Sequence, residues 1–275
     1  NMNSAISNLK PFTMPYNITV NINKDPKARM GFNWFTNAGV TGGKVQIVQG
    51  IVNDTNAFNN PMFEVIARCD SAKNLNYSVS ANNLSSLAGI PNNTKKSYMF
   101  NKATVNGLTP NTFYSYRVGK NGSWSEIGTF KTAVSGKESF SFVYTTDPQA
   151  NTDEMFEISR KTTNAANNMY PNADFWLHCG DMVETSGASN SEWEWEQFFE
   201  TQRNILMNKP FNSVIGNHDR STNQNFALHF NNDSVAFDYA KATYKGSVYS
   251  FVYGDALFMA INSEDYNTAG YLDST

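Results

Sequence analysis

The sequence predicts two domains, an all-β sandwich followed by an α/β domain. Three observations predict them. The chain has 275 residues, more than one average domain. From Tyr16 to about Thr132 apolar residues recur with a period of two, broken by turn signals. After a short linker, "AVSGKES" at 133–139, the pattern changes to strand, helix, strand, helix, strand. The expected extents are 10–133 for the sandwich and 139–275 for the α/β domain, the latter as the N-terminal half of a larger one.

Each element follows from its residues. "YNITVNI" places Ile18, Val20 and Ile22 on one face, and "MGFNWFT" places Met30, Phe32 and Trp34 on one face. "KVQIVQG" alternates Val45 and Ile47, and "FYSYRVG" alternates Tyr114, Tyr116 and Val118 against Phe113, Ser115 and Arg117. "TGG", "NGLTPN" and "KNGSW" supply the turns. In the second domain "FSFVYTT" is a strand. "TDEMFEISRKTTNAANNMY" is a helix, with Met155, Ile158 and Thr162 expected on its packed face. "DFWLHCG" is a second strand. "SEWEWEQFFETQRNILMNK" is a helix opened by Ser191 as N-cap, and "PFNSVIG" is a third strand. "GSVYSFVYGDALFMAINSED" predicts a hairpin, Ser247 to Tyr253 and Ala256 to Asn262, turned at Gly254-Asp255.

Composition narrows the function. Apolar residues make up 40% and aromatic residues 14%, ample for packed cores. Charged residues are only 16% and the net charge is -3, which is not the footprint of a nucleic-acid binder. No run approaches the roughly 18 apolar residues of a membrane span. Abundant Asn, Ser, Thr and Tyr point to a secreted or cell-surface protein. The polar N-terminal "NMNSAISN" is read as a remnant or the end of a processed leader. The two cysteines, Cys69 and Cys179, lie in different predicted domains and are not expected to pair.

Polar groups follow each α/β strand. The first strand ends in Asp147 and Gln149, the second in Gly180-Asp181, the third in Gly216-Asn217-His218-Asp219. The transitions lie 34 residues apart (147 to 181) and 36 apart (181 to 217), each about one βαβ unit. Parallel strands would bring these groups to one sheet edge, where open α/β sheets bind ligands. Carboxylates with amide oxygens suit Mg²⁺, Mn²⁺, Fe or Zn²⁺. A shared carboxylate can bridge two metals about 3.5–4 Å apart, and a histidine over the site can donate a proton.

These motifs carry a resemblance. "GDMVE" and "GNHD" resemble the second and third motifs of the calcineurin-like metallophosphoesterases, and "DPQ" stands where that family has Asp-x-His. "VNGLTPNTFYSYRVGKNGSWSEIGTFKT" resembles the end of a fibronectin type III domain. The pair is similar to the purple acid phosphatase-like branch. The resemblance implies an α/β/β/α catalytic sandwich, present in part, and hydrolysis of phosphate esters by a dinuclear-metal hydroxide mechanism. It implies Asp147 on the first metal, Asp181 bridging, Asn217 on the second and His218 as the catalytic acid or phosphate contact. Gln149 stands at a metal-ligand position. The implied cofactors are two divalent or mixed-valence ions of Fe, Mn or Zn, and the implied partner is a small phosphorylated substrate. A phosphodiesterase or nucleotidase on the same scaffold, and a non-catalytic surface binding protein, are the alternatives.

Two residues depart from the family pattern. Gln149 replaces a histidine, and Glu184 stands where purple acid phosphatases carry a metal-binding tyrosine, so no charge-transfer colour is expected. The three histidines are 178, 218 and 229. His178 is expected to be a core residue and His229 structural or a pocket wall. Asp219 is expected to fix the turn or orient His218. The Trp193/Trp195 pair is expected to pack on the sheet rather than line a cleft. Glu184 and Ser186-Gly187 are expected to shape the entrance. The family's later histidines have no counterpart among these three. The chain is therefore expected to be a fragment of a longer enzyme and poor in activity.

Overall fold

A computed structural model describes residues 14–77, 90–91, 93–136, 138–185, 191–219, 225–232 and 246–263. The first domain has two facing antiparallel sheets. One orders β1 (Tyr16–Ile22), β2 (Arg29–Asn37), β6 (Lys95–Asn106) and β5 (Arg68–Asn76) as β1-β2-β6-β5. The other orders β4 (Phe63–Ile66), β3 (Lys44–Gln49), β7 (Phe113–Lys120) and β8 (Ser123–Trp124), with β9 (Gly128–Lys131) pairing β7. Val20, Phe32, Trp34, Val45, Ile47, Tyr116, Val118 and Phe130 fill the space between them, as the period of two predicts. The Tyr114 hydroxyl accepts the Thr109 N–H at 2.9 Å and ties down the "LTP" corner.

In the second domain β10 (Phe142–Thr145), β11 (Phe175–His178) and β12 (Phe211–Ser213) form a parallel sheet in that order. Helix α1 (Asp153–Met169) crosses from β10 to β11. Helices α2 (Glu192–Thr201) and α3 (Arg203–Leu206) precede β12, and a short α4 (Asn225–His229) follows it. Strands β13 (Tyr249–Tyr253) and β14 (Ala256–Ala260) form the expected hairpin. Its Phe251 and Phe258 stack at 4.9 Å and pack on Phe175 of β11.

One helix expectation needs correction and the other holds. In α1, Met155 and Ile158 are exposed, and the buried residue is Phe156. The helix seats through polar side chains one and two turns on. The Ser159 hydroxyl lies 2.9 Å from the Gln202 amide nitrogen, and Thr163 is also bonded to Gln202. Ser191 occupies the N-cap of α2 without a side-chain cap hydrogen bond, whereas Thr152 caps α1 by accepting from the Met155 N–H at 3.2 Å.

The strand faces of β1 and β2 differ from simple alternation for a larger reason. Not only Ile18, Val20 and Phe32 but also Thr19, Asn21 and Asn33 are buried. The second domain lies against the outer face of this sheet. Asparagines stitch the joint to main chain. Asn212 of β12 accepts the Ile22 N–H at 2.9 Å and donates to the Ile22 carbonyl at 3.1 Å. Asn231 donates to the Ala103 carbonyl at 2.8 Å, and Asn23 donates to the Asn231 carbonyl at 2.8 Å. His229 stacks between Phe35 of β2 at 4.5 Å and Trp195 of α2 at 4.7 Å.

Candidate functional site

The site is built at the carboxyl ends of β10, β11 and β12. The parallel sheet aims all three loops to one edge, and hydrogen bonds then lock them together. The Asp147 N–H donates to the Gly180 carbonyl at 3.1 Å, and the Gln149 N–H donates to the Asp181 carbonyl at 2.9 Å. The Gln149 amide nitrogen also donates to Asp181 Oδ2 at 3.1 Å. The other oxygen, Asp181 Oδ1, accepts the His218 N–H at 2.8 Å. Gln149, Asp181 and His218, one from each loop, are thus in direct contact.

The backbone is strained at these positions. Asp147, Gln149 and Asp181 have φ of 54°, 40° and 52°. Among the described residues beyond the linker, they are the non-glycine residues with positive φ. Each such residue costs of order 1–3 kcal/mol and persists where surrounding structure over-determines it, a pattern concentrated at functional sites. The two glycines answer different needs. Gly180 has φ +88° and a Cβ there would lie 2.7 Å from the Gly216 nitrogen. Gly216 does not serve its turn through a left-handed backbone. Its φ is not positive, and its role is close approach: a Cβ would lie 2.1 Å from Asp181 Oδ1.

Asp219 fixes the turn, as its position suggested. It is fully buried, and Oδ1 accepts the Met182 N–H at 2.9 Å while Oδ2 accepts the Gly216 N–H at 3.0 Å. It therefore ties the second loop to the third. Burial pushes its carboxyl up to about 7, against the pull of these N–H donors.

Comparison with known proteins places these features. The family model described as purple acid phosphatase, N-terminal domain, matches residues 15–132, and that of the calcineurin-like phosphoesterases matches 140–271. The chain joins a purple acid phosphatase N-terminal domain to a calcineurin-like phosphoesterase domain. None of the curated proteins matches the sequence. Among solved structures, one of PhoD is 13% identical with a TM-score of 0.45, over 84% of this chain and 43% of that chain. The chain thus spans less than half of the PhoD structure. A redesigned β-sandwich protein is 17% identical, TM-score 0.25, over 44% of this chain and 95% of that one. The sensor domain of the anti-sigma factor RsgI4 of Pseudobacteroides cellulosolvens is 16% identical, TM-score 0.21, over 43% and 96%. At these TM-scores the structural likenesses carry no argument.

In the phosphoesterase domain, Asp181 is buried, Gln149 half-buried, and Asp147 and Asn217 exposed at the rim. The Thr146 hydroxyl bonds to Asp147 Oδ2 and lies 3.0 Å from the Cys179 carbonyl, fixing that carboxylate to the second loop. Two carboxylates with neighbouring amides form a hard oxygen donor set, which fits Mg²⁺ or Mn²⁺. Among the described residues, no three His, Cys, Asp or Glu side chains gather into a group able to hold an ion. Imidazole cannot be recruited from elsewhere in the described chain. His178 is buried against Phe198 and Phe211, and burial holds its ring down to about 3. His229 sits in the domain joint 3.2 Å from Glu192.

His218 is half-buried beside the site, and its Nδ1 lies 2.6 Å from the Glu184 carbonyl. A carbonyl only accepts, so Nδ1 carries the proton of the neutral ring and Nε2 is its unprotonated nitrogen. That carbonyl bond, then the Glu184 carboxylate 3.5 Å away, favours the protonated ring and raises its pKa. Trp193 and Trp195 are buried core residues, not cleft walls. Ser186 and Gly187 lie outside the described residues. Sequence reasoning missed Glu194. It lies in the first turn of α2, is fully buried, and its Oε2 accepts the N–H groups of Glu184 at 3.0 Å and Thr185 at 2.9 Å. An acidic "EWEWE" helix gives no sign of which acid turns inward.

Proposed function

We propose that the protein hydrolyses phosphate esters with the help of divalent cations held at the ends of β10, β11 and β12. The observation that supports this best is the interlocked, strained cluster of Asp147, Gln149 and Asp181 with the His218 main chain. Asp147, Asp181 and Asn217 would hold the cation, which when bound would supply positive charge for the phosphoryl oxygens and acidify water. Gln149 holds the Asp181 carboxylate in place. His218, with Nδ1 occupied by the Glu184 carbonyl, presents Nε2 as the atom that carries a proton to the departing oxygen. The cations would be Mn²⁺ or similarly hard divalent ions, the substrate a small phosphorylated molecule, and the setting secreted or at the cell surface.

Hydrolysis of 4-nitrophenyl phosphate and of bis(4-nitrophenyl) phosphate, with Mn²⁺ binding measured in parallel, tests this reading. Asp181→Asn should lose Mn²⁺ affinity and turnover together. His218→Ala should keep Mn²⁺ affinity and lose about 10²–10⁴-fold in turnover. Faster cleavage of the diester would assign a phosphodiesterase. Mn²⁺ binding indifferent to Asp181→Asn would remove the site from these residues.

A further inference from the structure

We infer that Glu194 is a positioning residue for His218, acting across the peptide group that joins Glu184 to Thr185. This rests on the reading of His218 as the proton carrier. A trans peptide group is planar, with its N–H and its C=O pointing in opposite directions. In the Glu184–Thr185 group the Thr185 N–H donates to Glu194 Oε2 at 2.9 Å, and the Glu184 carbonyl accepts from His218 Nδ1 at 2.6 Å. One rigid amide therefore has a carboxylate on one side and the imidazole on the other.

The rest of the Glu194 carboxylate serves the same two residues. Oε2 also accepts the Glu184 N–H at 3.0 Å, and Oε1 takes the Thr185 hydroxyl. No cation is paired with Glu194 among the described ion pairs, although the side chain is fully buried. A buried carboxylate is unfavourable, and a core helix would be more stable with an apolar residue there. Burial pushes its carboxyl up to about 7. The helix N-terminus offsets part of that, because Glu194 lies in the first turn of α2. What the placement achieves is local. A negative charge against the N–H polarises the amide and strengthens its carbonyl as an acceptor. The carbonyl then holds the imidazole in the Nδ1–H tautomer, with Nε2 unprotonated. The arrangement performs through one peptide what a carboxylate bonded directly to a histidine performs elsewhere.

The test reads the histidine itself, without metal or substrate. Long-range ¹H–¹⁵N correlation spectra report the tautomer of each imidazole at a pH where the rings are neutral. His178 and His229 are internal controls, since neither touches this loop in the described contacts. In the wild type His218 should be the Nδ1–H form. In Glu194→Gln the His218 signals should shift toward a tautomer mixture while the His178 and His229 signals stay in place. Turnover of the nitrophenyl ester should fall about tenfold, with Mn²⁺ affinity kept. Thr185→Val, which removes only the hydroxyl contact, should give a smaller shift in the same direction and serves if Glu194→Gln does not fold. A folded variant with the His218 tautomer unchanged would overturn the inference. An inactive wild type with the tautomer shift present would instead refute the proposed function alone.

Discussion

Gly216 shows how tightly the site is specified at the level of single residues. Any side chain there collides with the Asp181 carboxylate and with the Asp181 nitrogen, 2.4 Å away. Gly216→Ala should lower stability by about 1–3 kcal/mol through overpacking and should weaken Mn²⁺ binding even though position 216 carries no donor. Thermal melting and Mn²⁺ titration of one sample check both effects. A second prediction concerns His178. Its ring titrates near 3 when folded and about 6.5 when unfolded, so between these values the unfolded chain binds more protons. Stability is therefore lost as pH falls from about 6.5 toward 3, by up to about 1.4 kcal/mol per pH unit. Asp219 and Glu194, raised to about 7, act in the opposite direction, since the folded chain keeps their protons longer. Only a comparison isolates the histidine: on acidification from about pH 6.5 toward 3, His178→Phe should lose less denaturant stability than the wild type. The motif residues were legible because three loops each carry a donor directly after an apolar run. Glu194 was not placed by sequence, because a carboxylate that caps a distant loop is defined by the N–H groups it meets.

Helix α2 shows why element boundaries were more legible than element faces. Its acids alternate with tryptophans in "EWEWE", a pattern that in isolation suggests acids facing water. The helix lies instead between its own sheet and the β-sandwich, so both sides are covered. Each acid has its own task. Glu192 accepts from the Asn225 amide at 2.5 Å, Glu194 holds the site loop, and Glu196 accepts the Tyr98 hydroxyl at 2.8 Å. The face of α1 was misjudged for a related reason. Two exposed apolar residues, Met155 and Ile158, stood out in sequence, while the packed face rests on Phe156 and on hydroxyls bonded to Gln202. Strand β12 has a corresponding device. Beyond its ladder with β11, Asn212 extends it by a side chain to both polar groups of Ile22. Asn212→Ala should cost about 1–3 kcal/mol for each buried group left unpaired. Denaturant unfolding followed by separate reporters in the two domains should become non-coincident in the variant.

At the scale of the whole chain, the order of sandwich and α/β domain was legible from the change of hydrophobic period. The docking of one on the other was not. Nothing in "YNITVNI" announces that its polar face will be covered, because an asparagine that faces water and one that faces a partner's main chain are the same letter. The described residues include no helix long and apolar enough to cross a membrane. The joint has one further property. Asparagine amides bond to peptide groups along it, and charged side chains cross it too: Lys96 pairs with Glu196 at 3.5 Å, Lys102 donates to the Ala227 carbonyl at 2.6 Å, and Arg203–Glu126 is an exposed pair at its margin. Mobile ions screen the exposed charges at the edge of such a seam and leave its buried asparagine bonds untouched. The sandwich thus holds the sheet, and through β12 the third loop of the site, in a placement that brine and fresh water leave alike.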